Sequence, residues 1–208
     1  MVGEGALIEA LNSPDVEQIL VINRKPCGYT HPKLEEIIHS DFFDLSPIAS
    51  LLSGYNACFF CLGVSSAGMK EPEYSKVTYD LTLYVAQVLS QRNPDMTFIY
   101  VSGSGTDSSE KGSLMWARVK GKTENDLMKL PFRKVYAFRP GFMKATEGAK
   151  HTLKYYGALG WLYPLLRPVL PGFISTLAEV GQAMINITLK GYDKPVIEVK
   201  DIVVLAKK

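Results

Sequence analysis

Two rhythms of apolar and polar residues alternate along this chain of 208 residues. Short apolar runs at 18–22, 57–62, 97–101 and 135–138 have the length of strands, and 34–38 and 196–199 read as two more. Between them the apolar residues fall at every third or fourth position, the spacing of one helix face. That spacing predicts helices over 4–11, over 71–91 on Tyr74, Val77, Leu81, Val85 and Val88, over 177–189 and over 202–206. A brief helix is expected from Ser46, with Pro47 at the favoured first position. The run at 18–22 is apolar almost throughout, which favours a parallel strand covered on both faces. Strands alternating with helices predict an α/β domain with a mainly parallel sheet and helices on both faces.

The strand at 97–101 breaks into Ser102-Gly103-Ser104-Gly105, and the chain then re-enters a helix, running through Lys129, that carries Trp116 and Lys120. Four residues apart, those two share a helix face. In a parallel sheet, ligands bind beyond the carboxyl ends of the strands. Residues 23–25, Asp41, Gly63, 102–105 and 140–141 all fall at such ends, a convergence that points to a nucleotide-binding crevice. Asn23-Arg24-Lys25 puts no acid where a ribose 2′-hydroxyl is usually held. Arg24 can instead offer a planar fork to a 2′-phosphate, with Lys25 adding charge. The alternative is a solvated basic turn.

Composition narrows the picture. Apolar residues make up 47% of the chain and charged residues 21%, so one ordinary domain over 1–208 is expected. A net charge of +2 without a basic cluster gives no reason to expect nucleic acid as a partner. The first residues do not read as a signal peptide, and three cysteines suggest no disulfide framework, so a cytoplasmic location is expected. Cys58 and Cys61 stand three apart on a strand and face opposite sides, which argues against a metal or redox pair. His31, His39 and His151 lack ligand spacing, and no metal is assigned. The apolar stretch at 155–173 is broken by Pro164, Arg167, Pro168 and Pro171, too interrupted to span a bilayer. It reads as part of a lid or subunit-contact segment over 151–176, with interfacial membrane contact through Trp161 and Tyr163 as the lesser alternative.

Ser102 at a strand end and Trp116-x-x-x-Lys120 on the next helix resemble the active-site segment of the short-chain dehydrogenase/reductase superfamily. The closer resemblance is to its atypical branch, the NAD(P)-binding epimerase-like and Tat-interacting-protein-like oxidoreductases, and it runs from Met1 to about Lys207. It implies a Rossmann-like fold and a nicotinamide cofactor, with NADP preferred over NAD because of Arg24 and Lys25. On the branch's front pattern, strand then Gly-x-x-Gly-x-x-Gly then helix, Gly3 matches the last glycine. The first central strand and the first two glycines of that pattern have no counterpart. An internal methionine start, a shortened paralogue and a misaligned front each account for this. A chain so shortened is expected to be marginal or oligomeric, because strands beside the gap keep unpaired backbone groups. The resemblance also implies that Asp41 faces adenine, that Leu62 and Gly63 let backbone approach the cofactor, and that Pro140 and Gly141 meet the nicotinamide amide. A turn cap at Asp41 and a structural turn at 140–141 are the plain alternatives.

In that superfamily a tyrosine exchanges a proton with substrate oxygen, the lysine lowers its pKa and holds the ribose, and the serine polarises the carbonyl. Trp116 stands at the tyrosine's position, and an indole N–H donates but cannot cycle a proton near neutral pH. Ser102 and Lys120 keep their places; Ser104 is a second candidate donor, and Tyr79, Tyr155 and Tyr156 are the available phenols. The expected function is therefore an NADP(H)-binding protein of this kind, acting as an oxidoreductase on a small or hydrophobic carbonyl or alcohol. A non-catalytic cofactor sensor or protein-interaction module is its rival.

Overall fold

The computed structural model describes residues 1–144 and 172–207. In chain order the elements are α1 (Val2–Asn12), β1 (Ile19–Asn23), β2 (Leu34–Ile38), a 3-10 helix (Ser46–Leu52) and β3 (Ala57–Phe60). Then come α2 (Glu71–Ser75), a π-helical turn (Lys76–Asp80), α3 (Leu81–Arg92), β4 (Thr97–Val101), α4 (Met115–Leu127) and β5 (Lys134–Arg139). The chain continues through β6 (Phe142–Lys144), β7 (Ile174–Thr176), α5 (Leu177–Lys190), β8 (Val196–Glu198) and α6 (Val199–Leu205). Every described strand pairing is parallel, and strands alternate with helices in the Rossmann-like manner. The described residues group into two compact units, one of Met1–Asp41, Pro140–Gly191 and Val199–Lys208, the other of Phe42–Arg139 and Tyr192–Glu198.

The second unit holds the sheet β3-β4-β5-β8. Its centre is apolar because β4 and β5 have neighbours on both sides: Phe98, Ile99, Tyr136 and Phe138 are buried. Phe98 stacks on Phe132 at 5.0 Å and on Phe60 at 5.9 Å between ring centroids, an offset-stacking range. The predicted helix over 71–91 is interrupted at Lys76–Asp80, where the wider π turn replaces the α-helical ladder. Such turns are rare and leave no simple periodic signal. The turn carries Tyr79 to α4, where its hydroxyl donates to Asp126 Oδ2 at 2.7 Å.

The first unit packs α1 on α5 through glycines. A Cβ at Gly5 would stand 2.8 Å from Leu177 Cβ, and one at Gly181 would stand 2.8 Å from Glu9 Cγ, so the helices approach more closely than alanines would permit. A capping box starts α5: Thr176 Oγ1 accepts from the Glu179 N–H at 3.0 Å, and Glu179 Oε2 accepts from the Thr176 N–H at 2.8 Å. One expectation is corrected here. β1 is half-buried along its whole length instead of covered on both faces, because its only described ladder is with β2. The end of the segment expected to be a lid, Ile174–Thr176, is strand β7 paired with β6. Residues 151–171 of that segment, with Tyr155, Tyr156, Trp161 and Tyr163, lie outside the described residues.

Candidate functional site

Strand β4 ends at Val101, and the turn that follows needs glycine: Gly103 has φ +151° and Gly105 φ +86°, both disfavoured for other residues. The turn aims the Ser102 carbonyl at α4, where Lys120 Nζ donates to it at 2.6 Å. The same ammonium lies 5.8 Å from the Tyr100 ring centroid. Burial pushes Lys120 down to about 8, against the pull of the Glu124 carboxylate one turn along the helix. Ser102 and Lys120, paired in the sequence reading, are thus brought together. The Ser102 hydroxyl, however, is buried and donates to the Phe138 carbonyl at 3.1 Å. Trp116 lays its ring over the turn: a Cβ at Gly105 would lie 3.4 Å from Trp116 Cη2. Ser104 is half-exposed in the same turn.

A buried ion pair underlies this arrangement and was not anticipated from the sequence. Arg139, the last residue of β5, donates from Nε to Glu124 Oε1 at 3.0 Å and from Nη2 to Oε2 at 2.5 Å. The Glu124 side chain is only 1% exposed and that of Arg139 10%, so the bidentate fork replaces the water both groups have lost. Arg139 Nη2 also donates to Ser108 Oγ at 2.5 Å and Nη1 to Glu198 Oε1 at 3.2 Å. One guanidinium therefore ties together α4, β8 and the loop after Ser102. Glycine at 121 permits the loop's approach, since a Cβ there would overlap the Asp107 carbonyl. The available signal was a glutamate one turn beyond Lys120 and an arginine closing an apolar strand, opposite charges that burial obliges to pair.

The opposite side of α4 carries a second lysine in a different setting. Lys122 Nζ donates to Asp126 Oδ2 at 2.7 Å and to the Tyr79 hydroxyl at 3.0 Å, and it stands 4.2 Å from the Tyr79 ring centroid. These bonds raise Lys122 above the ordinary lysine value, with Asp126 the larger cause. A cleft of about 220 Å³ opens here, lined by Glu71, Ser75, Tyr79, Glu110, Arg118 and Lys122 among others. Arg118 is already paired with Glu71 at 2.7 Å, so the cleft's charges are largely spent on one another. Tyr79, a candidate replacement phenol, is engaged in this cluster.

Leu62 is half-buried and Gly63 exposed beyond β3. A Cβ at Gly63 or at Gly103 would meet no described atom within 4 Å, so among the described residues both turns are uncovered at the carboxyl ends of β3 and β4. In the first unit, Gly3 falls in the opening turn of α1, exposed. Arg24 and Lys25 are exposed after β1, in a turn gathered by Glu36 of β2. Glu36 Oε1 accepts from Asn23 Nδ2 at 2.9 Å and from the Cys27 N–H at 2.8 Å. Asp41 is exposed, and Asp44 Oδ1 accepts from the Ser46 N–H at 3.0 Å just ahead of the 3-10 helix. Pro140 is buried, and Gly141 has a packing reason: a Cβ there would overlap the Phe173 carbonyl, to which the Phe142 N–H donates at 2.9 Å. No group of potential metal ligands occurs among the described residues, and burial pushes the Cys58 and Cys61 thiols up to about 12. Within the second unit, glycine backbone beyond β3 and β4 with an ammonium beside the second suits a ligand held at the carboxyl ends of these strands.

These features define a Rossmann-like α/β fold, and comparison with known proteins bears out the resemblance to the atypical short-chain dehydrogenase/reductase branch. The chain is similar to the mitochondrial protein fmp52 of Emericella nidulans, 26% identical over 202 residues that cover 91% of this chain and 84% of that one. It is similar to protein HTATIP2 of Rattus norvegicus, 24% identical over 193 residues, 88% of this chain and 75% of the other. Among solved structures, ADP-L-glycero-D-manno-heptose-6-epimerase of Helicobacter pylori superposes with a TM-score of 0.67 at 14% identity, over 100% of this chain and 77% of that one. MoeE5 in complex with UDP-glucuronic acid and NAD superposes with a TM-score of 0.63 at 17% identity, over 94% and 71%. No family model matches the chain. The cytoplasmic expectation is corrected, since the fmp52 relatives are named mitochondrial. It rested on an odd cysteine count and on the residue types of the first positions, neither of which distinguishes reducing compartments from one another.

Proposed function

We propose that this chain binds a nicotinamide dinucleotide, NADP(H) in preference to NAD, and that Lys120 is its principal cationic contact. The observation that carries the reading is the Lys120 ammonium fixed 2.6 Å from the Ser102 carbonyl, beside glycine backbone open to a ligand. Arg24 and Lys25 support a 2′-phosphate, because their turn is exposed and bent by Glu36. NAD in the related MoeE5 structure supports the cofactor class. The residues favour binding without the usual proton relay: Trp116 has no exchangeable acid at this pH, and the Ser102 hydroxyl is committed to Phe138. A cofactor-sensing or protein-interaction module is thus the reading supported best.

The second reading is an oxidoreductase acting on a small or hydrophobic carbonyl or alcohol, and it is favoured by Lys120 titrating at about 8, within reach of physiological pH. The nicotinamide supplies the hydride when bound; Lys120 orients the ribose, and Ser104 is the remaining hydroxyl for substrate oxygen. Titrating NADPH fluorescence against the protein tests the cofactor. A saturable change that Lys120→Ala removes supports it, and no response from the native chain rejects both readings. Trp116→Tyr then separates them. Carbonyl reduction gained with the new phenol supports the binding module, whereas native turnover lost in Lys120→Ala establishes the oxidoreductase.

A further inference from the structure

We infer that Glu124 and Arg139 are positioning residues for Lys120, holding its ammonium at the Ser102 carbonyl by clamping α4 to β5 and to the loop that begins at Ser102. The inference rests on the reading of Lys120 as a cofactor contact, but its structural part stands by itself. A buried ion pair contributes little net stability, since desolvation offsets the attraction, whereas its directional bonds restrict the geometries a segment can adopt. Here the restriction falls on the pieces that carry the site. Glu124 lies one turn beyond Lys120, Ser108 lies in the loop between Ser102 and α4, and Arg139 follows Phe138, whose carbonyl accepts from both the N–H and the hydroxyl of Ser102. Asp107 reinforces the loop, its N–H donating to the Ala117 carbonyl at 3.1 Å. A turn of α4 slipping by one residue would break the fork and the Lys120–Ser102 bond together.

The pair also governs charge. The described titratable groups around Lys120 are Tyr100 from β4, with Tyr74 of α2 behind it, Glu124 on its own helix, and Arg139 of β5 through Glu124. Glu124 is the carboxylate among them, and it counters the burial that would otherwise discharge the lysine. The experiment follows the pH titration of Lys120 by NMR in protein made with 13C-labelled lysine and read at its Cε, assigned with Lys120→Arg, alongside NADPH affinity. The native midpoint is expected at about 8. Glu124→Gln is expected to move it down by about one pH unit and to weaken NADPH binding roughly tenfold, with Lys122 unmoved. Glu124→Asp, which keeps the charge but withdraws it by a methylene, gives an intermediate midpoint and answers the question should Glu124→Gln fail to fold. A Lys120 midpoint unchanged in these variants, or one drifting upward together with other lysines as the fold loosens, overturns the inference. If the midpoint shifts as expected while the native chain ignores NADPH, the positioning stands and the cofactor reading fails.

Discussion

Lys120 and Lys122 stand two residues apart on one helix and are pushed in opposite directions. Lys120 faces the sheet, where loss of water lowers it to about 8 even with Glu124 nearby. Lys122 faces outward, where solvent remains and its bonds to Asp126 and Tyr79 raise it. The difference teaches that helix phase, and not local sequence, decides whether a lysine here is a structural cation or a group that can change charge near neutrality. The inner lysine is held by backbone and by a buried network. The outer one belongs to an exposed cluster whose members are stabilised mostly by one another.

The harshest way to break the contrast is at Gly121, between the two lysines. Gly121→Ala forces a Cβ into the Asp107 carbonyl, and loss of about 3 kcal/mol of stability is expected in chemical denaturation, more than either lysine substitution causes. Next comes cofactor affinity: Lys120→Ala should weaken NADPH binding at least about tenfold, near 1.4 kcal/mol, while Lys122→Ala should leave it within about twofold. Equal losses in a fluorescence titration would erase the distinction between the faces.

Alkaline stability sharpens the comparison. Lys120 titrates at about 8 in the folded chain and near 10.5 when unfolded, so between these values the unfolded state holds a proton that the folded state has released. Stability from this group therefore rises with pH through that window. Lys120→Met should flatten the rise in denaturation midpoints, and Lys122→Met should not. The smallest effect is expected at Asp126, held below the usual carboxylate range by Lys122 first, then by Lys129 and Tyr79. That contribution is present above the ordinary aspartate value of 3.8 and is lost as pH falls below it. Because the Lys122 and Lys129 side chains are 47% and 73% exposed, Asp126→Asn should cost under about 1 kcal/mol near neutral pH. Native and variant stabilities should converge on acidification.

Much of the architecture was legible along the chain. β2 and β4 fall where strands are predicted, and α5 covers the helix predicted over 177–189, because these signals depend on residues close in sequence. The π turn at Lys76–Asp80 and the short ladder of β6 with β7 were not legible. A three-residue strand carries too little pattern, and its partner lies 32 positions away in the register of Phe142 with Ile174. The half-burial of β1 was missed for a related reason: an apolar run reports that its residues can be covered, not how many neighbours the strand acquires.

The sequence by itself determined the parallel α/β plan, the Ser102–Lys120 spacing, and the placing of Trp116 on the helix face of Lys120, since each follows from residue identity and local periodicity. Only the tertiary structure decided that the Ser102 hydroxyl turns to Phe138, that Gly141 answers to Phe173, and that Glu124 and Arg139 close on each other beneath Lys120. These depend on which chain segments burial brings within 3 Å or so, and on the need of every desolvated charge for a partner.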